Sequence, residues 1–339
     1  MSRVLSAARP GRSLAAVCVA VLALVLGGCA PLQPMGQRQP TTTYTITPET
    51  VAPATPATAD APSDAEPAPV DGPVAPGTSG RIRVTVDGRE RDFLLHVPEG
   101  YSPEQNWPLI LAFHGWRERA ETLEDTTRLD SAAALVAYME GVDQAWAPAP
   151  YASTSMAEDL AYSQAVVTAV DDAYDVDADH ISVIGFSNGG GFAAALACQI
   201  PEQISGVATV AAAYYEKVHE NCKDTPVAHI DLHGTADDVI GYYGGERHET
   251  AYTSVDDVLE NAAERNNCSG PVTATRETAG TLDFRWSDCD RPLEHIRIGG
   301  GGHVWPGGTK DANDELGDGY GTYRILRFFG IDWTEWKGN

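Results

Sequence analysis

Ser187, Asp237 and His303 are the residues whose types, neighbours and order suit nucleophilic catalysis. Ser187 lies in Gly185-Phe186-Ser187-Asn188-Gly189, directly after the apolar run Ile181-Ser182-Val183-Ile184. This G-x-S-x-G pattern sets a serine on a sharp strand-to-helix turn, exposed and rigid, where a nearby base would make its hydroxyl a nucleophile. The glycines allow strand and helix to approach closely around a strained serine. Gly189-Gly190-Gly191-Phe192-Ala193-Ala194 also fits the G-x-G-x-x-A form of a dinucleotide turn. That reading needs an acid at the end of the next strand to hold a ribose, and Val207-Ala208-Thr209-Val210-Ala211 supplies none, so no cofactor is expected.

A serine nucleophile needs a base, an acid to orient the base, and donors for the oxyanion. Gly299-Gly300-Gly301-Gly302-His303-Val304-Trp305-Pro306-Gly307 offers His303 on a freely bending loop. His233-Gly234-Thr235-Ala236-Asp237-Asp238 follows the run 228–232 and offers a carboxylate. Asp237 is taken as the orienting acid and Asp238 as a solvated loop charge or cap. His114-Gly115-Trp116 follows an earlier apolar run. The backbone N–H of Trp116 and of Asn188, the residue after the nucleophile, are the expected oxyanion donors. His114 precedes Ser187, the wrong order for the base, so it and His233 are read as buried, hydrogen-bonded residues.

These loops require a scaffold that brings strand ends together. Runs 81–86 and 91–97 flank Asp87-Gly88 and read as an opening hairpin. Runs 108–113, 133–139, 181–185, 207–212, 228–232 and 294–298 read as strands, with helical periodicity at 159–174, 189–199, 255–266 and 323–329. Strand and helix alternate, which predicts an α/β fold: a mostly parallel central sheet covered by helices on both faces, with functional loops at the carboxyl ends of the strands.

The N-terminus reads differently. Arg3, Arg9 and Arg12 precede an apolar stretch from Leu14 to Leu26, and Leu26-Gly27-Gly28-Cys29 resembles a bacterial lipobox. Residues 1–28 are therefore expected to be a lipoprotein signal peptide, with lipid on Cys29 as the only membrane partner. Residues 29–80, rich in Pro, Ala and Thr, read as a disordered tether, and 81–339 as one catalytic domain, expected to be a monomer. A formal charge of −25 argues against nucleic acid as a partner. The domain's four cysteines should oxidise in an extracytoplasmic setting. Three pairings are possible; proximity in sequence favours Cys198–Cys222 and Cys268–Cys289. No C-x-x-C spacing suggests zinc. The acidic stretch 311–318 lacks the glycine and glutamate of a calcium loop, so no metal is expected.

Taken together, the His114-Gly115 strand end, Gly185-Phe186-Ser187-Asn188-Gly189-Gly190, His233-Gly234-Thr235-Ala236-Asp237 and Gly301-Gly302-His303-Val304-Trp305-Pro306-Gly307 give the chain a family likeness over residues 81–335. It resembles the polyhydroxybutyrate depolymerase and feruloyl esterase group of secreted α/β-hydrolases, including actinobacterial esterase lipoproteins. The resemblance implies the α/β-hydrolase fold, a Ser187, Asp237, His303 triad, both cysteine pairings, and cleavage of carboxylic esters of feruloyl, hydroxyalkanoate-oligomer or acetyl type. Trp116 departs from relatives, which often carry a small or polar residue there. Trp116, Trp146, Tyr151, Tyr242, Tyr243 and Trp305 could form an aromatic cleft, with Trp305 the best candidate for a substrate contact. A serine peptidase or an acyltransferase would use the same triad, and a non-catalytic surface-binding lipoprotein would keep only the scaffold.

Overall fold

The computed structural model describes residues 72–313 and 315–333. The signal peptide 1–28, Cys29 and most of the expected tether lie outside the described residues. Twelve strands form in chain order: β1 (Thr78–Val86), β2 (Arg89–Val97), β3 (Trp107–Phe113), β4 (Leu135–Met139), β5 (Val176–Phe186), β6 (Gly206–Val210), β7 (Ala228–Gly234), β8 (Gly245–Arg247), β9 (Thr250–Tyr252), β10 (Val272–Arg276), β11 (Thr281–Trp286) and β12 (Leu293–Ile298). The helices are α1 (Ala120–Thr127), α2 (Met156–Tyr174), α3 (Asn188–Gln199), α4 (Val255–Arg265) and α5 (Tyr320–Phe329).

Ten strands make one sheet in the order β1-β2-β4-β3-β5-β6-β7-β12-β11-β10. From β4 to β12 every neighbouring pair is parallel. Antiparallel pairs finish both edges. This is the α/β-hydrolase fold, and it follows from residue pattern. The central strands are apolar on both sides because each face is covered. Leu111, Phe113 and Val183 pack with Val166 of α2 and Phe192 and Leu196 of α3 on one face. Ile110, Ile184, Val210 and Leu232 pack with Leu123 of α1 and Ile325 of α5 on the other. Each such side chain, fully buried, stabilises the fold by about 1.5–3 kcal/mol.

Helix starts follow local chemistry. Ser155 and Glu158 form a reciprocal capping box at α2, and the Ser254 hydroxyl accepts the Asp257 N–H at α4. Five elements escape the periodicity reading: α1, the hairpin strands β8 and β9, and β10 with β11. No side chain caps α1, which is short and buries only Ala120, Leu123 and Thr127, and every residue of β10 is exposed. The expected strand–helix alternation also breaks between β6 and β7, which are joined by a 3₁₀ turn at Glu216–His219 and a loop. The Cys198–Cys222 disulfide ties that loop to the end of α3, and Cys268–Cys289 ties the segment after α4 to the segment before β12. Closing loops of this size stabilises by about 3 kcal/mol each. The expected start at residue 81 is late. β1 begins at Thr78, and buried Val74 donates its N–H to Tyr174 Oη at 2.6 Å.

Candidate active site

Ser187 occupies the N-cap of α3 at φ 53° and ψ −115°, the strained geometry that its glycine neighbours permit. A Cβ on Gly185 would meet Gly189 O at 2.1 Å, and one on Gly189 would meet Phe113 O at 2.2 Å. Only hydrogen fits. Backbone bonds hold the turn, from Ser187 N to Val210 O at 2.9 Å and from Ala213 N to Ser187 O at 2.9 Å. An N-cap serine normally accepts from the first turn of its helix. Ser187 makes no such cap bond. Its Oγ lies 2.9 Å from His303 Nε2 instead.

His303 Nδ1 stands 2.7 Å from Asp237 Oδ2, across 66 residues of sequence. A carboxylate can only accept, so Nδ1 carries the proton and Nε2 presents its lone pair to the serine hydroxyl. Asp237 Oδ1 accepts the N–H groups of Val239 and Ile240 at 2.9 and 2.8 Å. Burial pushes the Asp237 pKa up, but hydrogen bonds from His233 and His303, the His303 charge and the Ile240 amide outweigh it. The carboxyl is held below its usual range. Asp238 is exposed.

The loops that carry Asp237 and His303 are stitched together because β7 and β12 are parallel neighbours. Thr235 N donates to Ile298 O and Ala236 N to Gly301 O, both at 2.9 Å, while Gly300 N donates to Thr235 Oγ1 at 2.9 Å. Phe186 packs against the His303 ring with centroids 5.1 Å apart.

The opposite corner is built from backbone. Gly141 N donates to His114 Nε2 at 3.0 Å, which fixes Nδ1 as the donor to Gly115 O at 2.7 Å. Burial lowers the His114 pKa to about 4. His114 is thus a neutral brace for the loop that carries Trp116. Glu118 Oε2 accepts the Gly115 N–H at 3.1 Å. Asn188 Oδ1 accepts Trp146 N at 2.8 Å and its Nδ2 donates to Trp146 O at 3.0 Å, pinning the residue after the serine. No hydrogen bond engages the Trp116 or Asn188 amide among the described residues. The side-chain bonds of Glu118 and Asn188 had no separate signal in the sequence, although both residues flank expected site positions.

The aromatic residues divide. Trp305, expected to touch substrate, is 2% exposed, packs in the core and donates Nε1–H to Thr322 Oγ1 at 3.0 Å. Its indole is apolar enough to bury and its one donor finds a partner inside, so the expectation of a substrate contact fails. Trp146 and Tyr242 are also buried. Trp116 and Tyr151 remain half-buried and stacked, with ring centroids 4.5 Å apart, and the His248 ring meets both edge-on. No group of three or more His, Cys, Asp or Glu suited to a metal occurs among the described residues.

A strained serine above a parallel sheet, with a histidine and a carboxylate on the neighbouring strand ends, defines an α/β-hydrolase. The comparisons agree in fold and narrow the class. A family model described as "Putative esterase" matches residues 85–270. "Putative esterase NocK" of Nocardia uniformis subsp. tsuyamanensis is 31% identical over 270 residues, covering 70% of this chain and 77% of that protein. "Feruloyl esterase C" of Emericella nidulans is 25% identical over 248 residues, covering 69% and 85%. A crystal structure described as a "putative dipeptidyl aminopeptidase IV" of Bacteroides ovatus aligns with a TM-score of 0.51 at 13% identity, over 75% of this chain and 35% of that one, and shows a shared fold alone. The chain belongs to this esterase family and is a carboxylic ester hydrolase.

Proposed function

We propose that the protein is an extracytoplasmic serine esterase that cleaves carboxylic esters through Ser187, His303 and Asp237 by way of an acyl-enzyme. The observation that carries this reading is His303 bridging Ser187 Oγ at 2.9 Å and Asp237 Oδ2 at 2.7 Å. As Ser187 Oγ attacks the ester carbonyl carbon, His303 Nε2 takes the hydroxyl proton, while Asp237 holds the tautomer and stabilises the imidazolium. The carbonyl oxygen, now negative, accepts from the Trp116 and Asn188 amides, each contributing about 3 kcal/mol at the transition state. The positive end of the α3 dipole acts in the same direction. His303 returns the proton to the leaving alkoxide, and a water deprotonated by the same ring releases the acid.

Feruloyl, acetyl and hydroxyalkanoate-oligomer esters are the proposed substrate types, with the Trp116–Tyr151 pair as the aromatic surface beside the oxyanion loop. The two disulfides suit an oxidising compartment. Export by residues 1–28, a lipid on Cys29 and a tether up to the start of the fold belong to the same proposal. The test is covalent labelling by a fluorophosphonate. Wild type should label, Ser187→Ala should not, and the variant should lose about 10⁶ in kcat. Folded wild type that resists the probe would favour a non-catalytic binding protein. Turnover of nitrophenyl esters but not of peptide amides separates an esterase from a peptidase, and the released acid, rather than a new ester, separates hydrolysis from acyl transfer.

A further inference from the structure

His233 is buried, lies at the end of β7, and takes no part in the proton transfers described above. Its Nε2 stands 3.0 Å from Ile240 O and 3.3 Å from Asp237 Oδ2. Both neighbours are acceptors, so Nε2 carries a proton, and that proton sits beside the oxygen that also receives His303 Nδ1. The second nitrogen, Nδ1, has no hydrogen-bond partner among the described residues. Among the described residues, the only bonds the His233 ring makes therefore run to the loop that carries Asp237.

We propose, on the reading that Asp237 orients His303, that His233 is a positioning residue: its Nε2–H clamps the Asp237–Ile240 turn and divides Oδ2 between two imidazoles. Other charged and polar groups face the same space. Asp231 lies on the same strand face, and the Tyr242 ring stands 5.8 Å from the His233 ring with His295 of β12 behind it. Burial opposes charge on His233, but hydrogen bonding to Asp237, the Asp231 charge and the Ile240 carbonyl outweigh this and raise its pKa. A donor or a positive charge at this point draws the carboxylate's electrons away from His303. Its removal leaves Oδ1 still held by Val239 and Ile240, so the carboxylate stays within reach of His303 and stabilises its imidazolium more strongly, while Oδ2 and the turn lose their clamp and the aim of the carboxylate loosens.

The expected sign follows. In His233→Leu the acid limb of kcat/KM against pH moves to higher pH by about half to one unit. Its kcat falls about tenfold, as when a group that orients a functional side chain is lost. His233→Gln, whose amide nitrogen reaches the position of Nε2, restores the wild-type limb and most of kcat. Rates of fluorophosphonate inactivation across the same pH range report only folded, competent sites and repeat the comparison independently of yield. A folded His233→Leu protein with an unmoved acid limb overturns the proposal. So does a His233→Gln protein whose limb shifts as far as that of His233→Leu. If Ser187→Ala still labels, the triad reading itself fails, and that failure is separate from either result.

Discussion

Two corners of the site contain the same dipeptide, His-Gly at a strand end, and use it in opposite ways. At β3, His114 is enclosed by backbone, loses its affinity for a proton, and braces a loop whose amide N–H groups are the proposed working parts. At β7, His233 lies against a carboxylate, gains affinity for a proton, and supports a side chain that is the proposed working part. Residue type was equal in the two places. What differs is that burial goes largely unopposed at His114, whereas at His233 the hydrogen bond to Asp237, the Asp231 charge and the Ile240 carbonyl outweigh it, which reverses the direction of the pKa shift.

The comparison breaks most sharply at the acid. Asp237→Asn keeps the shape of the β7 corner but favours the wrong His303 tautomer, and steady-state kinetics should show kcat lower by about 10⁴. At the amide corner Asn188→Ala leaves the proposed donor N–H in place but removes both bonds to Trp146. A loss of up to about 10² in kcat is expected, with little change in KM, because the donor is misplaced rather than deleted.

His114 separates stability from chemistry. With a folded pKa of about 4 against an unfolded value near 6.5, its unfolded state binds more protons between those values. Stability should therefore rise with pH from about 4 to 6.5, by up to about 3 kcal/mol from this residue. Urea melts of His114→Gln at several pH values should show a shallower slope across that window than wild type. Wild-type and variant slopes that coincide there would show that His114 is not held neutral. Asp238→Asn gives the smallest effect. It is exposed beside Asp237, and kcat should stay within about twofold of wild type.

Much of this was readable in advance because it depends on period and order. The apolar runs of the parallel centre, the G-x-S-x-G turn and the order of the proposed nucleophile, acid and base are displayed by the covalent chain itself, and proximity in sequence favoured the two cysteine pairings that form. What escaped depended on partners distant in sequence. β10 shows only exposed residues, so its strand character comes from pairing with β11 rather than from its own pattern. Val74 looks like tether until Tyr174 docks on it. Trp305, placed two residues after His303, looked like a wall of the site, yet a helix 17 residues further on supplies the partner that draws it inward. The Asn188 clasp on Trp146 spans 42 residues and depends on backbone groups, which carry no residue identity.

The adjacency of β7 and β12 has a further consequence for how such a protein can change. Everything from Gly241 to Pro292, comprising the small hairpin, α4 and the β10–β11 edge of the sheet, departs after β7 beside Asp237 and returns to β12, the neighbouring strand that leads to His303. An excursion whose two ends are anchored side by side can be shortened, lengthened or exchanged without dragging either anchor point. New selectivity could thus be grafted into that stretch, by evolution or by a designer, while the proton-handling geometry passes unaltered from one version to the next.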